Sequence, residues 1–134
     1  MANETKRQQM IEAILARRTS HDFTDRPISD QTLEQVLHAA MYAPTRAGSR
    51  PWHFVVIRRD DIKRALAGAL RMPAERLSAP VLVAVCAETA ASGEWDLDAA
   101  AATENLLVAA TALGLGSAWL ASQISNYWST VDRT

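Results

Sequence analysis

Residues 80–87 (PVLVAVCA) are apolar at every position, and no other stretch limits the fold of this chain as strongly. A strand with one wet face alternates apolar and polar residues, whereas an unbroken apolar run suits a central strand covered on both faces. The run is far too short to cross a membrane, which takes roughly 20 apolar residues, and no other segment approaches that length. Helices must therefore supply the covering layers. Cys86, the only cysteine, sits within the run and reads as a buried small hydrophobe. A reactive thiolate needs a positive, partly exposed setting, and no such residues adjoin it.

The covering elements follow from helical periodicity. Met10, Ile11, Ile14 and Leu15 mark one face of a helix from about residue 5 to Arg17. The polar stretch 20–27 (SHDFTDRP) reads as a loop, and Ser29 or Asp30 can cap a second helix by accepting from an unpaired backbone N–H. Leu33, Val36, Leu37 and Ala40 form its apolar face, and Pro44 ends it. Residues 52–58 (WHFVVIR) are β-branched and aromatic and predict a strand. A helix over about 60–70 presents Ile62, Leu66 and Ala69, and 72–79 connects it to the apolar strand. After a loop at 88–95, a long helix is predicted from about Asp96 to Leu113. It contains four successive alanines at 99–102, which permit close approach, and Leu106, Leu107, Ala110 and Leu113 as larger packing groups. Gly114 and Gly116 end it, and 117–122 (SAWLAS) reads as a third strand. This alternation predicts a layered α/β or α+β domain.

The chain has 134 residues, which leaves no room for two full domains. With a formal net charge of −1, it lacks the basic excess of a nucleic-acid or anionic-membrane binder. With no signal-peptide pattern at its N-terminus, it is expected to be soluble and cytoplasmic. The positive charge is lopsided, with twelve arginines against two lysines; base composition can produce such a ratio, but arginine also suits forked contacts with phosphate or carboxylate.

Two stretches concentrate the polar chemistry. Arg17-Arg18-Thr19-Ser20-His21 brings two guanidinium groups, hydroxyls and an imidazole to the end of a helix, where they can form a phosphate site or simply offset the helix dipole. Residues 44–52 (PTRAGSRPW) place Arg46 and Arg50 around Gly48, which admits unusual backbone conformations, and lead into Trp52. The pattern fits an anion-receiving loop or a turn before a core tryptophan. His38 and His53 have no second ligand at metal spacing. Asp96 and Asp98 read as helix N-terminal charges rather than as a carboxylate pair. No Walker A, HExxH or GxSxG sequence occurs, and no nucleophile has a base beside it.

Taken in order, these pieces resemble the FMN-dependent nitroreductase family. RRTSHDF (17–23) is similar to the family's RRSxRxF. AAMYAPT (39–45) is similar to its AA…APS, RPWHFVVI (50–57) to its QPWxFVVV, and APVLVAV (79–85) to its second core strand. Asp98, Asn105-Leu-Leu, Ala109-Ala and LGLGSAW (113–119) match its long central helix and the exit from it. The resemblance covers about residues 8–122.

It implies a three-layer α-β-α, α+β fold with a mixed, mainly antiparallel sheet, built as a homodimer with FMN at the interface. It also implies that NAD(P)H reduces the flavin and that a nitroaromatic, quinone or related small-molecule acceptor reoxidises it in ping-pong order. The flavin would carry the redox chemistry, which explains why no catalytic side chains stand out. Position by position, Arg17, Arg18 and Thr19 would hold the phosphate and ribityl end. His21 stands where the family has Arg or Lys and offers a pH-dependent charge in place of a permanent one. Arg46 and Gly48 would come from a loop reaching the partner's flavin; Gly48 replaces a common Asn, and Arg50 a common Gln. Ala118, Trp119 and Leu120 would border the ring.

The family continues with a further loop, helix, final strand and late basic residue, which 123–134 (QISNYWSTVDRT) does not resemble. The C-terminal part is therefore expected to be incomplete, as in a truncated or frame-altered member or a fragment. The alternative function is a non-catalytic flavin-binding remnant. A flavin-fragmenting or dehalogenating relative would need lid residues that the sequence does not reveal.

Overall fold

A computed structural model describes residues 1–120 of the chain. In chain order the elements are helix α1 (Ala2–Ala16), helix α2 (Asp30–Met41), strand β1 (Trp52–Ile57), helix α3 (Asp60–Ala69), strand β2 (Leu82–Ala87) and helix α4 (Trp95–Ala112). Short 3-10 turns cover Arg46–Gly48 and Ala74–Leu77. The elements expected up to residue 113 are present within a few residues of their predicted bounds. The architecture is α+β.

Ser29 caps α2: its hydroxyl oxygen accepts from the Thr32 amide at 3.1 Å. Helix α2 buries Val36 and Ala40 on the face expected for it. Helix α3 is rotated from the expectation. It buries Lys63 and Ala67 and leaves Ile62 43% exposed. The Lys63 ammonium reaches the Asp60 carboxylate and the Pro80 carbonyl, each at 3.2 Å, tying α3 to the approach to β2. Its aliphatic stem is the part that packs.

Strands β1 and β2 form an antiparallel pair with Trp52 opposite Ala87, His53 opposite Cys86 and Phe54 opposite Val85. The Pro51 carbonyl accepts from the Glu88 amide at 2.8 Å and extends the pairing past the strand ends. Helix α4 packs against this strand pair and also against α1 and α2. Where these layers meet, Ala43, Trp52 and Ala102 are buried, with Phe54 and Ala101 against them. Ala102 is fully buried, as suits a small side chain where a helix approaches a sheet closely.

Two expectations need correction. Cys86 is exposed, not buried. Side chains alternate across a strand, so Cys86 shares a face with its partner His53, while Trp52 and Phe54 turn toward α4. Among the described residues β2 has one strand neighbour, and most of its side chains are half-buried. The third strand expected at 117–122 is, over 117–120, a single parallel bridge between Ser117 and Thr19. The bridge is isolated from the antiparallel pair of β1 and β2. Residues 121 and 122, and the unmatched tail 123–134, lie outside the described residues.

Helix α1 differs from the rest. Met10, Ile11, Ile14 and Leu15 are exposed at 69%, 50%, 53% and 66%. The apolar face predicted from periodicity exists, and within the described chain it is largely uncovered.

Candidate functional site

The expected site residues fall into two clusters. The first forms where the chain leaves α1. The Ser20 amide donates to the Ser117 carbonyl at 2.9 Å, and the Thr19–Ser117 bridge lies beside it. The stretch that holds Arg17, Arg18, Thr19 and His21 thereby runs alongside the start of the segment that continues into Ala118, Trp119 and Leu120. Arg18 is committed locally: its guanidinium donates to the Leu15 and Arg17 carbonyls, each at 2.8 Å. It satisfies the open end of α1, the structural role open to a cation at that position. The Arg17 side chain is half-buried and makes no hydrogen bond or ion pair among the described residues. Ser117 Oγ is buried without a hydrogen-bond partner. Thr19, His21 and Trp119 are exposed, and Trp119 offers a flat apolar surface at 48% exposure.

The second cluster is the loop between α2 and β1. Its backbone is unusual: Ala47, Gly48 and Arg50 have φ of 50°, 68° and 46°. Glycine adopts this region freely, but for Ala47 and Arg50 it costs about 1–2 kcal/mol each. Within the loop the Arg50 amide donates to Thr45 Oγ1 at 3.1 Å, and the Gly48 amide to the Thr45 carbonyl at 3.1 Å. From outside, Asp98 Oδ1 accepts from the Arg46 amide at 3.0 Å. The Arg46 guanidinium leans over Gly93, where an added Cβ would stand 2.9 Å from Nη1, and lies 3.9 Å from the Glu94 carboxylate. Both groups of that ion pair are more than half exposed, so it adds little to stability. The Arg50 guanidinium has no such partner among the described residues.

Among the described residues, no hydrogen bond or ion pair joins one cluster to the other. A shallow depression along α1, lined by Glu4, Thr5, Gln8, Gln9 and Glu12, contains none of these residues. No group of three potential metal ligands occurs among the described residues. His38 instead meets Tyr42 edge-on with centroids 5.0 Å apart.

Sequence reasoning misses Asp98, Ser92 and Ser117 as parts of these clusters. Asp98 reads there as a helix-terminal charge like Asp96, yet it is 5% exposed while Asp96 is open to solvent. The sequence holds one sign of this: Asp98 lies four residues before Ala102, on the side of α4 that must face the core. Nothing in the sequence distinguishes Ser117 from any serine after a helix.

The same arrangement of elements is found in known proteins. The family model described as "Nitroreductase family" matches residues 14–96. The "Putative NADH dehydrogenase/NAD(P)H nitroreductase" of Archaeoglobus fulgidus is 37% identical over 117 residues, 84% of this chain and 67% of that protein. The protein of the same name from Methanothermobacter thermautotrophicus is 32% identical, over 87% of this chain and 62% of that one. The chain thus spans about two thirds of the length of these curated relatives. Among solved structures, one of that name from Bacteroides thetaiotaomicron superposes with a TM-score of 0.83 at 30% identity, covering 92% of this chain and 74% of that one. A "putative nitroreductase in complex with fmn" from Desulfovibrio desulfuricans gives 0.80 at 32% identity, with the same coverage of each chain. The fold is thus a known one, and the chain belongs to the nitroreductase family.

Proposed function

We propose that this chain is an FMN-dependent oxidoreductase that takes reducing equivalents from NAD(P)H and passes them to a nitroaromatic, quinone or related acceptor in ping-pong order. The observation that carries this reading is the first cluster. The Thr19–Ser117 bridge gathers an unengaged, half-buried arginine, hydroxyl groups and a flat apolar edge, and the buried Ser117 Oγ awaits a partner. A buried polar atom without a partner is costly, and a phosphorylated, polyhydroxylated ligand with a planar ring supplies what these groups lack. The residues present therefore fit FMN. The complex named for the Desulfovibrio relative and the NAD(P)H in the names of the curated relatives point the same way.

When bound, FMN supplies two-electron redox chemistry between a nicotinamide and the acceptor. The chain's own contribution is binding and orientation. Arg17 would meet the phosphate through forked, charge-assisted hydrogen bonds, with Arg18 and His21 adding positive character. Thr19 and Ser117 would serve phosphate or ribityl oxygens, and Ala118, Trp119 and Leu120 would border the ring. Arg46, Gly48 and Arg50 would reach the flavin of a second copy. A homodimer is favoured by the apolar side chains that α1 leaves open, because such a face gains by being covered. No helix among the described residues is long and apolar enough to cross a membrane.

The test is direct. The purified chain is mixed with FMN, its visible spectrum recorded, and NADH and NADPH oxidation followed with a quinone; sedimentation reports the dimer. Bound flavin and acceptor-dependent oxidation are expected. Flavin uptake without oxidation would assign the chain to flavin binding alone, and no uptake would sink both readings.

A further inference from the structure

We propose that Asp98 is a positioning residue that holds the Thr45–Arg50 loop in the shape in which it receives its ligand. The identity of that ligand rests on the flavin reading above; the anchor rests on this chain's own hydrogen bonds. The bonds within the loop, from the Gly48 and Arg50 amides to Thr45, close the turn on itself. They do not place it relative to the helices and the strand pair. That is done by the Asp98 carboxylate, which accepts from the Arg46 amide at 3.0 Å through one oxygen. Its other oxygen accepts from the Ser92 hydroxyl at 2.8 Å, with the Ser49 hydroxyl at the outer limit of 3.5 Å. Ser92 is buried as well, and its Oγ accepts from the Glu94 amide at 3.1 Å. One carboxylate thus ties the loop to α4 and to the turn that precedes α4.

Two features argue that this serves the loop rather than the helix. A charge for the helix dipole can act from an exposed position such as that of Asp96 at the same helix end. Burying a carboxylate costs far more, and an apolar residue would fill the α4 seam without that cost. What the carboxylate adds is a fixed acceptor for an amide in a strained loop. Left-handed Ala47 and Arg50 persist only where their surroundings over-determine them, as is typical of ligand clamps. The anchored group is the backbone of Arg46, which leaves its guanidinium on the outside.

Hydrogen exchange over residues 45–50, FMN titration of the apoprotein by fluorescence quenching, and thermal midpoints test the proposal. Asp98→Ala is expected to speed loop exchange at least about tenfold and to raise the FMN dissociation constant about 10- to 100-fold, with exchange over 102–112 unchanged. Asp98→Asn keeps an acceptor for the Arg46 amide and is expected to restore part of both losses. Asp96→Asn removes the same charge from the same helix turn and is expected to alter neither. Should Asp98→Ala not fold, Ser92→Ala removes one of the carboxylate's bonds together with the acceptor of the Glu94 amide, and is expected to move both readouts in the same direction by a few-fold. Wild-type loop exchange in both Asp98 variants, or equal effects from Asp96→Asn, would overturn the anchor. Failure of the wild-type chain to take up FMN would overturn the flavin reading instead, and loop exchange would still decide the anchor.

Discussion

The stretches 17–21 and 45–50 each carry two arginines within a few residues, but the fold supports them differently. Among the described residues, the first is joined to the later chain by a single bridge and a backbone hydrogen bond to Ser117, and it leads from a helix whose apolar side chains are exposed there. The second enters a strand whose first residue, Trp52, is core, and a buried carboxylate holds it from α4. Similar composition therefore produces a loosely held arm in one place and a strained, anchored loop in the other. The difference comes from what lies opposite: alanines and a tryptophan that pack closely in the second case and, among the described residues, the short segment around Ser117 in the first.

Predictions that break this contrast come first. Trp52→Ala should cost about 3–5 kcal/mol, the typical loss for a buried large aromatic, and should release the anchored loop; denaturant unfolding and loop exchange would report both. Ala102→Leu forces a larger side chain where α4 meets Trp52 and Ala43 and should cost about 1–3 kcal/mol, read by the same unfolding curves. The next prediction sharpens the contrast. Arg17→Ala removes a guanidinium with no partner among the described residues, so stability should change by less than about 0.5 kcal/mol. FMN affinity should nevertheless fall about tenfold, near 1.4 kcal/mol. A loss of stability in place of affinity would make Arg17 structural, like Arg18. Ser29→Ala should cost about 1 kcal/mol through its lost cap on α2, with exchange in 17–21 untouched.

The smallest effect concerns pH. The Asp61 carboxyl is held below its ordinary value, chiefly by hydrogen bonding to the Arg59 guanidinium, while its desolvation acts in the opposite direction. Its contribution is therefore present above the ordinary carboxylate range and is lost as pH falls through the lowered value. Because this pair is exposed, Arg59→Ala should raise the Asp61 titration midpoint in NMR while leaving the stability and ligand affinity of both loops unchanged at neutral pH.

Much of the scaffold is legible in the amino-acid order alone. The period of Leu33, Val36, Leu37 and Ala40 locates α2 and its buried face, Ser29 or Asp30 marks its start, and residues 52–58 and 80–87 stand out as strands. The motif order also identifies the family. The site is legible only in part. Arg17, Thr19, Arg46 and Gly48 stand out because arginine and glycine beside a helix end or strand have few uses. Arg18 stands out equally and serves the helix end, a choice set by carbonyls within reach of its side chain. Asp98 is misread because its position in the first turn of α4 matches a common and weaker use of an aspartate.

The sequence by itself determined most of the elements, their order and the two polar loops, because helix period, runs of apolar and β-branched residues and capping act between residues a few positions apart. Only the tertiary structure decided which faces those elements bury. It exposed Cys86 although its run is wholly apolar, left Met10, Ile11, Ile14 and Leu15 of α1 exposed among the described residues, and buried Asp98 while leaving Asp96 in water. Each of these outcomes depends on which distant segment packs opposite, and burial and hydrogen-bond satisfaction are set by that partner rather than by the residue's own neighbours in the chain.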